Sequence, residues 1–120
     1  EIRSRGLGDV YKRQIHQFCN IGDYSFIGMN TSINMDIPAF VKVAADPARI
    51  IGLNSVGMSR NDISSESISL IKKAYKLVYR KGLKIDEAIK KSKELNKDQN
   101  DSFLDIFIKS LEISERGILR

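Results

Sequence analysis

Isoleucine recurs at every sixth position near the start of the chain, at Ile15, Ile21, Ile27 and Ile33. Four residues after each of the first three stands a small side chain, Cys19, Ser25 or Thr31, and glycine follows directly in Ile21-Gly22 and Ile27-Gly28. A period of six fits neither an alternating strand nor an amphipathic helix. It fits a coil of short parallel strands in which each hexad makes one flat face and then turns a corner. The aliphatic residue fills the interior of the prism, and the small one sits inward near the corner, where bulk would collide. Continued backwards, the frame would bury Asp9 and Arg13, at a cost of several kcal/mol each. The repeat therefore starts at Ile15. Forwards it is expected to stop at Asp36-Ile37-Pro38, because proline removes a ladder donor and restricts the residue before it.

Residues 39–62, with Asp46-Pro47 and Gly52, read as an irregular, partly extended crossover loop. From Ser64 the period becomes helical. Ser64 is placed to cap a helix with Glu66 in its first turn, and Ile68, Ile71, Tyr75, Val78 and Tyr79 form one apolar stripe before a stop at Gly82. Ile85, Ala88, Ile89 and Leu95 predict a second helix, with Asp86 and Glu87 near its positive end. Asp101 opens a third, striped by Phe103, Leu104, Phe107, Ile108 and Leu111 and followed by Gly117. The expected architecture is mixed β and α: terminal hexad coils at 15–38, a crossover at 39–62 and a helical domain at 63–120.

The length of 120 residues suits one domain. A 42% hydrophobic content and only 2 prolines exclude a disordered or low-complexity chain. The longest apolar run, Ile37 to Ala45, is broken by Lys42 and falls far short of the roughly 20 residues of a membrane span. The opening Glu-Ile-Arg-Ser-Arg has no apolar core for a signal peptide. A single cysteine, Cys19, permits no internal disulfide and suits the cytoplasm. Gly8-Asp9-Val10-Tyr11-Lys12-Arg13-Gln14 resembles translated sequencing-adapter read-through, so residues 1–14 are expected to be non-native. The net charge of +5 is concentrated: residues 63–93 hold nine Lys or Arg against Glu66, Asp86 and Glu87. That segment suits nucleic acid, a phosphorylated ligand or an acidic protein, and equally a solvated helix face.

Motif chemistry is sparse. The one histidine, His16, has no serine nucleophile in a strained turn beside it. His16 and Cys19 together fall short of a zinc ligand set, so no metal is expected. Gly52 and Gly57 lie five apart with no Lys-Ser or Lys-Thr after them, so they make no phosphate loop. In the hexad frame His16, Gln17 and Met29 point outward.

Ile15-His-Gln-Phe-Cys-Asn-Ile-Gly22, Asp36-Ile-Pro38, Gly52-Leu-Asn54, Gly57-Met-Ser-Arg60, Ala74-Tyr-Lys-Leu-Val-Tyr-Arg80 and Arg116-Gly-Ile-Leu-Arg120 follow one another in an order that resembles the C-terminal part of the UDP-N-acetylglucosamine acyltransferases of lipid A biosynthesis. The resemblance runs from residue 15 to 120. It implies the end of a left-handed parallel β-helix followed by a C-terminal helical domain, in a cytoplasmic homotrimer with active sites between subunits. The implied reaction moves a 3-hydroxyacyl group from acyl carrier protein to the 3-hydroxyl of UDP-N-acetylglucosamine. The donor is carried on the carrier's phosphopantetheine, and no separate cofactor is implied. The family's general-base histidine lies in coils outside this sequence, so no catalytic residue is expected here. A truncated gene product without activity of its own is the corresponding expectation.

The same resemblance puts His16 and Gln17 in the substrate cleft, and Asn54, Gly57, Met58, Arg60 and Asn61 in the nucleotide and diphosphate region. It puts Met29 at the end of the acyl groove, a position that can be as small as glycine. Many members carry a second basic residue where this chain has Asn61, and some an acidic one where it has Val56, so diphosphate binding is expected to rest on Arg60. Lys72, Lys73, Lys76, Arg80 and Lys81 are the expected surface for the acidic carrier protein. Two alternatives are a related acyltransferase acting on an amino sugar and a basic helical module for nucleic acid. The latter is disfavoured because Tyr75 and Tyr79 lie on the apolar stripe and no groove-reading motif is present.

Overall fold

The computed structural model describes residues 14–15, 19–45, 47–115 and 117–120. Three short parallel ladders stack one turn of chain on the next. β1 (Gln14–Ile15) pairs with β3 (Ser32–Ile33), with Ile15 opposite Ile33. Ile21 bridges Ile37. β2 (Phe26–Ile27) pairs with β4 (Val41–Ala44), with Ile27 opposite Val43. Ile21, Ile27, Ile33, Cys19, Ser25 and Thr31 are all buried, as the hexad frame requires.

The coil does not stop at Pro38. Ile37 stays inward and uses its own N–H, donated to Asn20 O at 2.9 Å, so the missing proline donor falls where the ladder does not need one. The chain shortens here: Ile15 and Ile33 are 18 residues apart, whereas Ile21 and Ile37, like Ile27 and Val43, are 16 apart. Gly22 permits the contraction, since a Cβ there would overlap the backbone of Pro38 and Ala39. Residues 39–62 are correspondingly more regular than a crossover loop. β4 completes the coil, β5 (Arg49–Leu53) folds back antiparallel onto it, and a short helix α1 (Ser55–Arg60) follows.

α2 (Ser65–Tyr79) starts where Ser64 accepts the Ser67 N–H, and Gly82, with φ +68°, follows its end. α3 (Ile85–Asn96) places Asp86 and Glu87 in its first turn. Asp101 caps α4 (Ser102–Glu112) through the N–H groups of Phe103 and Leu104, and it also accepts the Ser67 hydroxyl. The three helices pack on one another through Ile71, Ala74, Val78, Ala88, Leu104, Phe107 and Leu111.

Besides the Ala39 N–H, which donates to the Ser110 hydroxyl of α4 at 2.9 Å, two contacts join helices to coil. At the coil corner Tyr24 and Phe40, both at positive φ and 16 residues apart, stack with ring centroids 5.3 Å apart, and Phe103 meets both edge-on. The second contact is Asp36, whose carboxylate accepts from Asn20 N at 2.8 Å and from the Ser114 hydroxyl at 2.6 Å. Its backbone holds the chain end, with Asp36 N donating to Gly117 O and Leu119 N donating to Asp36 O. Tyr79 donates to Leu119 O, and burial, reinforced by Tyr75 and opposed by Arg120, pushes its phenol above the usual range, so it remains a donor. Arg120 donates to the carbonyl of Val78 in the last turn of α2 and to that of Leu83 beyond its end.

Asp36→Ala is expected to cost about 2–3 kcal/mol, because it strands two part-buried donors at once, the Asn20 N–H and the Ser114 hydroxyl, whereas Ser114→Ala costs about 1 kcal/mol. Denaturant unfolding followed by circular dichroism measures both, and equal losses would count against this role for the carboxylate.

Candidate functional site

Asn54 is where the β hairpin turns into α1, and three bonds hold it. Its N–H donates to Phe40 O at 2.7 Å, its Nδ2 donates to Tyr24 O at 2.9 Å, and its Oδ1 accepts from Gly57 N at 3.0 Å. The residue thus caps α1 and pins it to both stacked corner residues of the coil. Gly57 lies directly against the Asn54 carboxamide, where any Cβ would collide with it. One turn later Arg60 ends the helix, its cation favourably near the negative pole.

A cavity of about 250 Å³ opens between this helix and the outer face of the coil, lined by Phe26, Lys42, Asn54, Val56, Gly57 and Arg60. Phe26 and Lys42 are register partners on β2 and β4. They face outward because the neighbouring Ile27, Val41 and Val43 face in. The Lys42 ammonium lies 5.9 Å from the centre of the Phe26 ring. Among the described lining residues there are two cations and no carboxylate, and Phe26 and Val56 form an apolar wall.

The structure brings together Asn54, Gly57 and Arg60 of the residues expected at a nucleotide site. Met58 is not one of its walls: the side chain has no exposed surface and packs in the core, since α1 must bury one face against the coil. Asn61 is turned back on the helix, its Nδ2 donating to Gly57 O at 2.7 Å. His16 and Gln17 lie outside the described residues. Met29 is outward as expected and 58% exposed, but lines no part of this cavity. Lys72, Lys73, Lys76, Arg80 and Lys81 are exposed at one edge of α2 and just beyond it. Tyr75, by contrast, is buried, and Tyr79 is tied to the chain end, so neither offers a stacking platform. Sequence reasoning missed Phe26 and Lys42. The outward position beside Ile27 marks Phe26, but Lys42 joins it only through the 16-residue offset, which the hexad count does not contain. Among the described residues no three His, Cys, Asp or Glu side chains gather as a metal ion would require.

Gly57→Ala is expected to destabilise the protein by about 1 kcal/mol by displacing the Asn54 cap. In an Asn54→Ala background the same change should stabilise by roughly 0.5–1 kcal/mol, the ordinary helix preference of alanine. A double-mutant cycle from denaturant melts reads both signs.

Residues 36–119 match a family profile described as UDP N-acetylglucosamine O-acyltransferase, domain 2. The chain is 42% identical over 106 residues to the acyl-[acyl-carrier-protein]–UDP-N-acetylglucosamine O-acyltransferase of Pseudomonas putida, covering 88% of this chain and 40% of that protein. Among solved structures it resembles LpxA from Acinetobacter baumannii, with a TM-score of 0.90, 38% identity, and coverage of 99% of this chain and 45% of that one. The Bacteroides fragilis UDP-N-acetylglucosamine acyltransferase has a TM-score of 0.83 at 28% identity, over 99% of this chain and 43% of its own. The chain thus spans about two fifths of the length of the relatives it matches.

Proposed function

Since this chain belongs to the UDP N-acetylglucosamine O-acyltransferase family, with residues 36–119 matching the family's second domain, we propose that it is the C-terminal part of an enzyme that transfers a 3-hydroxyacyl group from acyl carrier protein to the 3-hydroxyl of UDP-N-acetylglucosamine. Its coil is the end of a left-handed parallel β-helix, and the parent is an acyltransferase. The observation that carries the reading is the shared cavity of Asn54, Gly57 and Arg60, whose positive charge suits a nucleoside diphosphate.

In this reading the sugar oxygen bonds to the acyl carbonyl, the carbonyl–sulfur bond breaks, and the carrier's phosphopantetheine leaves as the thiol. The proton passes through a histidine of the preceding coils. The residues of this chain hold the reactants: Arg60 binds phosphoryl oxygens with its planar fork, and Asn54 and Gly57 set the position of the helix that carries it. By the family resemblance, His16 and Gln17 are substrate-binding residues of the cleft. The enzyme works as a cytoplasmic homotrimer, and Lys72, Lys73, Lys76, Arg80 and Lys81 steer the acidic carrier protein, an effect screened by salt.

In the complete protein, Arg60→Ala should weaken UDP binding by about 1.5–3 kcal/mol by calorimetry. An unchanged dissociation constant would remove Arg60 from the site.

Met29 is proposed to set acyl length. Its exposed thioether, at the end of the acyl groove in this reading, takes space that further methylenes would fill, each worth about 0.8 kcal/mol when buried. The preferred donor should be nearer ten carbons than fourteen. Specificity constants for both donors in wild type and Met29→Gly check this, and a glycine variant without a shift to the longer donor would exclude Met29 as the ruler.

A further inference from the structure

We propose that Lys42 is a second anion-binding group of the cavity and forms, with Arg60, a two-cation clamp on the phosphoryl groups of a bound nucleotide, an inference that rests on the nucleotide-binding reading above. The two residues come from different elements, a coil strand and the helix beyond the hairpin, yet they line the same space. Among the described residues neither is held in an ion pair, and the described lining supplies no carboxylate to balance them. Two like charges facing one concavity repel each other and raise a positive potential there, and an anion entering the cavity relieves both.

The two asparagines that flank this helix are already committed. The Asn54 carboxamide is bonded at both ends, to Tyr24 O and Gly57 N, and the Asn61 amide is bonded to Gly57 O. Lys42 and Arg60 are left with donors to offer, three on an ammonium and five on a guanidinium. They are also complementary, since the guanidinium reads a planar pair of phosphoryl oxygens and the ammonium acts as a compact point charge. Burial of Val41 and Val43 on either side forces Lys42 outward, and the Phe26 ring beneath its ammonium holds the chain along the coil face. Loss of the basic residue expected after Arg60 is therefore met from the coil. Diphosphate binding does not rest on Arg60 alone.

The competing role for Lys42 is as a brace, its ammonium stacked on Phe26 and no more. The test is calorimetric titration of the complete protein with UDP at low and high salt, for wild type, Lys42→Gln, Lys42→Arg and Arg60→Ala, with a melting curve for each. The clamp requires Lys42→Gln to weaken UDP about tenfold, to flatten the salt dependence, and to leave the melting temperature near wild type. Lys42→Arg should recover most of the affinity. If Arg60→Ala weakens UDP while Lys42→Gln binds as wild type, the clamp is overturned and the nucleotide reading stands. A Lys42→Gln protein with a lowered melting temperature and an unchanged salt dependence makes Lys42 a brace and also overturns the clamp. If wild type fails to bind UDP, the functional reading itself falls.

Discussion

Asp36 is the residue through which coil and helices become one body. It is 1% exposed, and an unbonded carboxylate at that depth would be strongly unfavourable, so its two partners are obligatory. One, Asn20 N, belongs to the coil turn below; the other, Ser114, follows α4. The backbone on either side of the same residue takes the terminal segment as a strap, bridging Ile118. Four attachments at one position mean that the last coil, the end of α4 and the chain end can adopt their places only together. Arg120 and Tyr79 extend the strap to α2.

The cavity is a consequence of this docking and of the aromatic corner beside it. Phe103 on α4 wedges against Tyr24 and Phe40, and the backbone carbonyls of those same two residues receive the N–H and side chain of Asn54. The helix that carries Arg60 is thus oriented by a joint whose primary role is structural. A cation held on a six-residue helix would otherwise be poorly placed, since so short a helix has little stability of its own. Burial of Met58 and the Asn54 cap hold it instead.

Positive charge falls in two separate places with different surroundings. On α2 the lysines lie at one exposed edge, where charge acts at long range and is screened by salt. At the cavity Lys42 and Arg60, both exposed, line one small volume that also has an apolar wall. Both places derive from the rule that cations stand outward wherever a coil or helix buries its alternate face.

The hexads, the three long helices and the caps at Ser64 and Asp101 were legible in the sequence, because each depends on near neighbours: an inward isoleucine every sixth residue, an apolar stripe, an oxygen before a first turn. That Asn54, Gly57 and Arg60 stand together was expected by resemblance, and they line one cavity. The continuation of the coil past Pro38, the hairpin and the partnership of Phe26 with Lys42 were not. They follow from a two-residue contraction that keeps Ile37 and Val43 inward while changing the spacing that a periodic reading would count. Met58 shows the converse limit, since a residue adjacent in sequence to cavity-lining residues turns inward once its helix has a coil to pack against. Local pattern therefore determined which way side chains face within each element. Only the stacking of turns 16 or 18 residues apart decided which outward side chains share a surface, because that pairing depends on backbone ladders between distant segments.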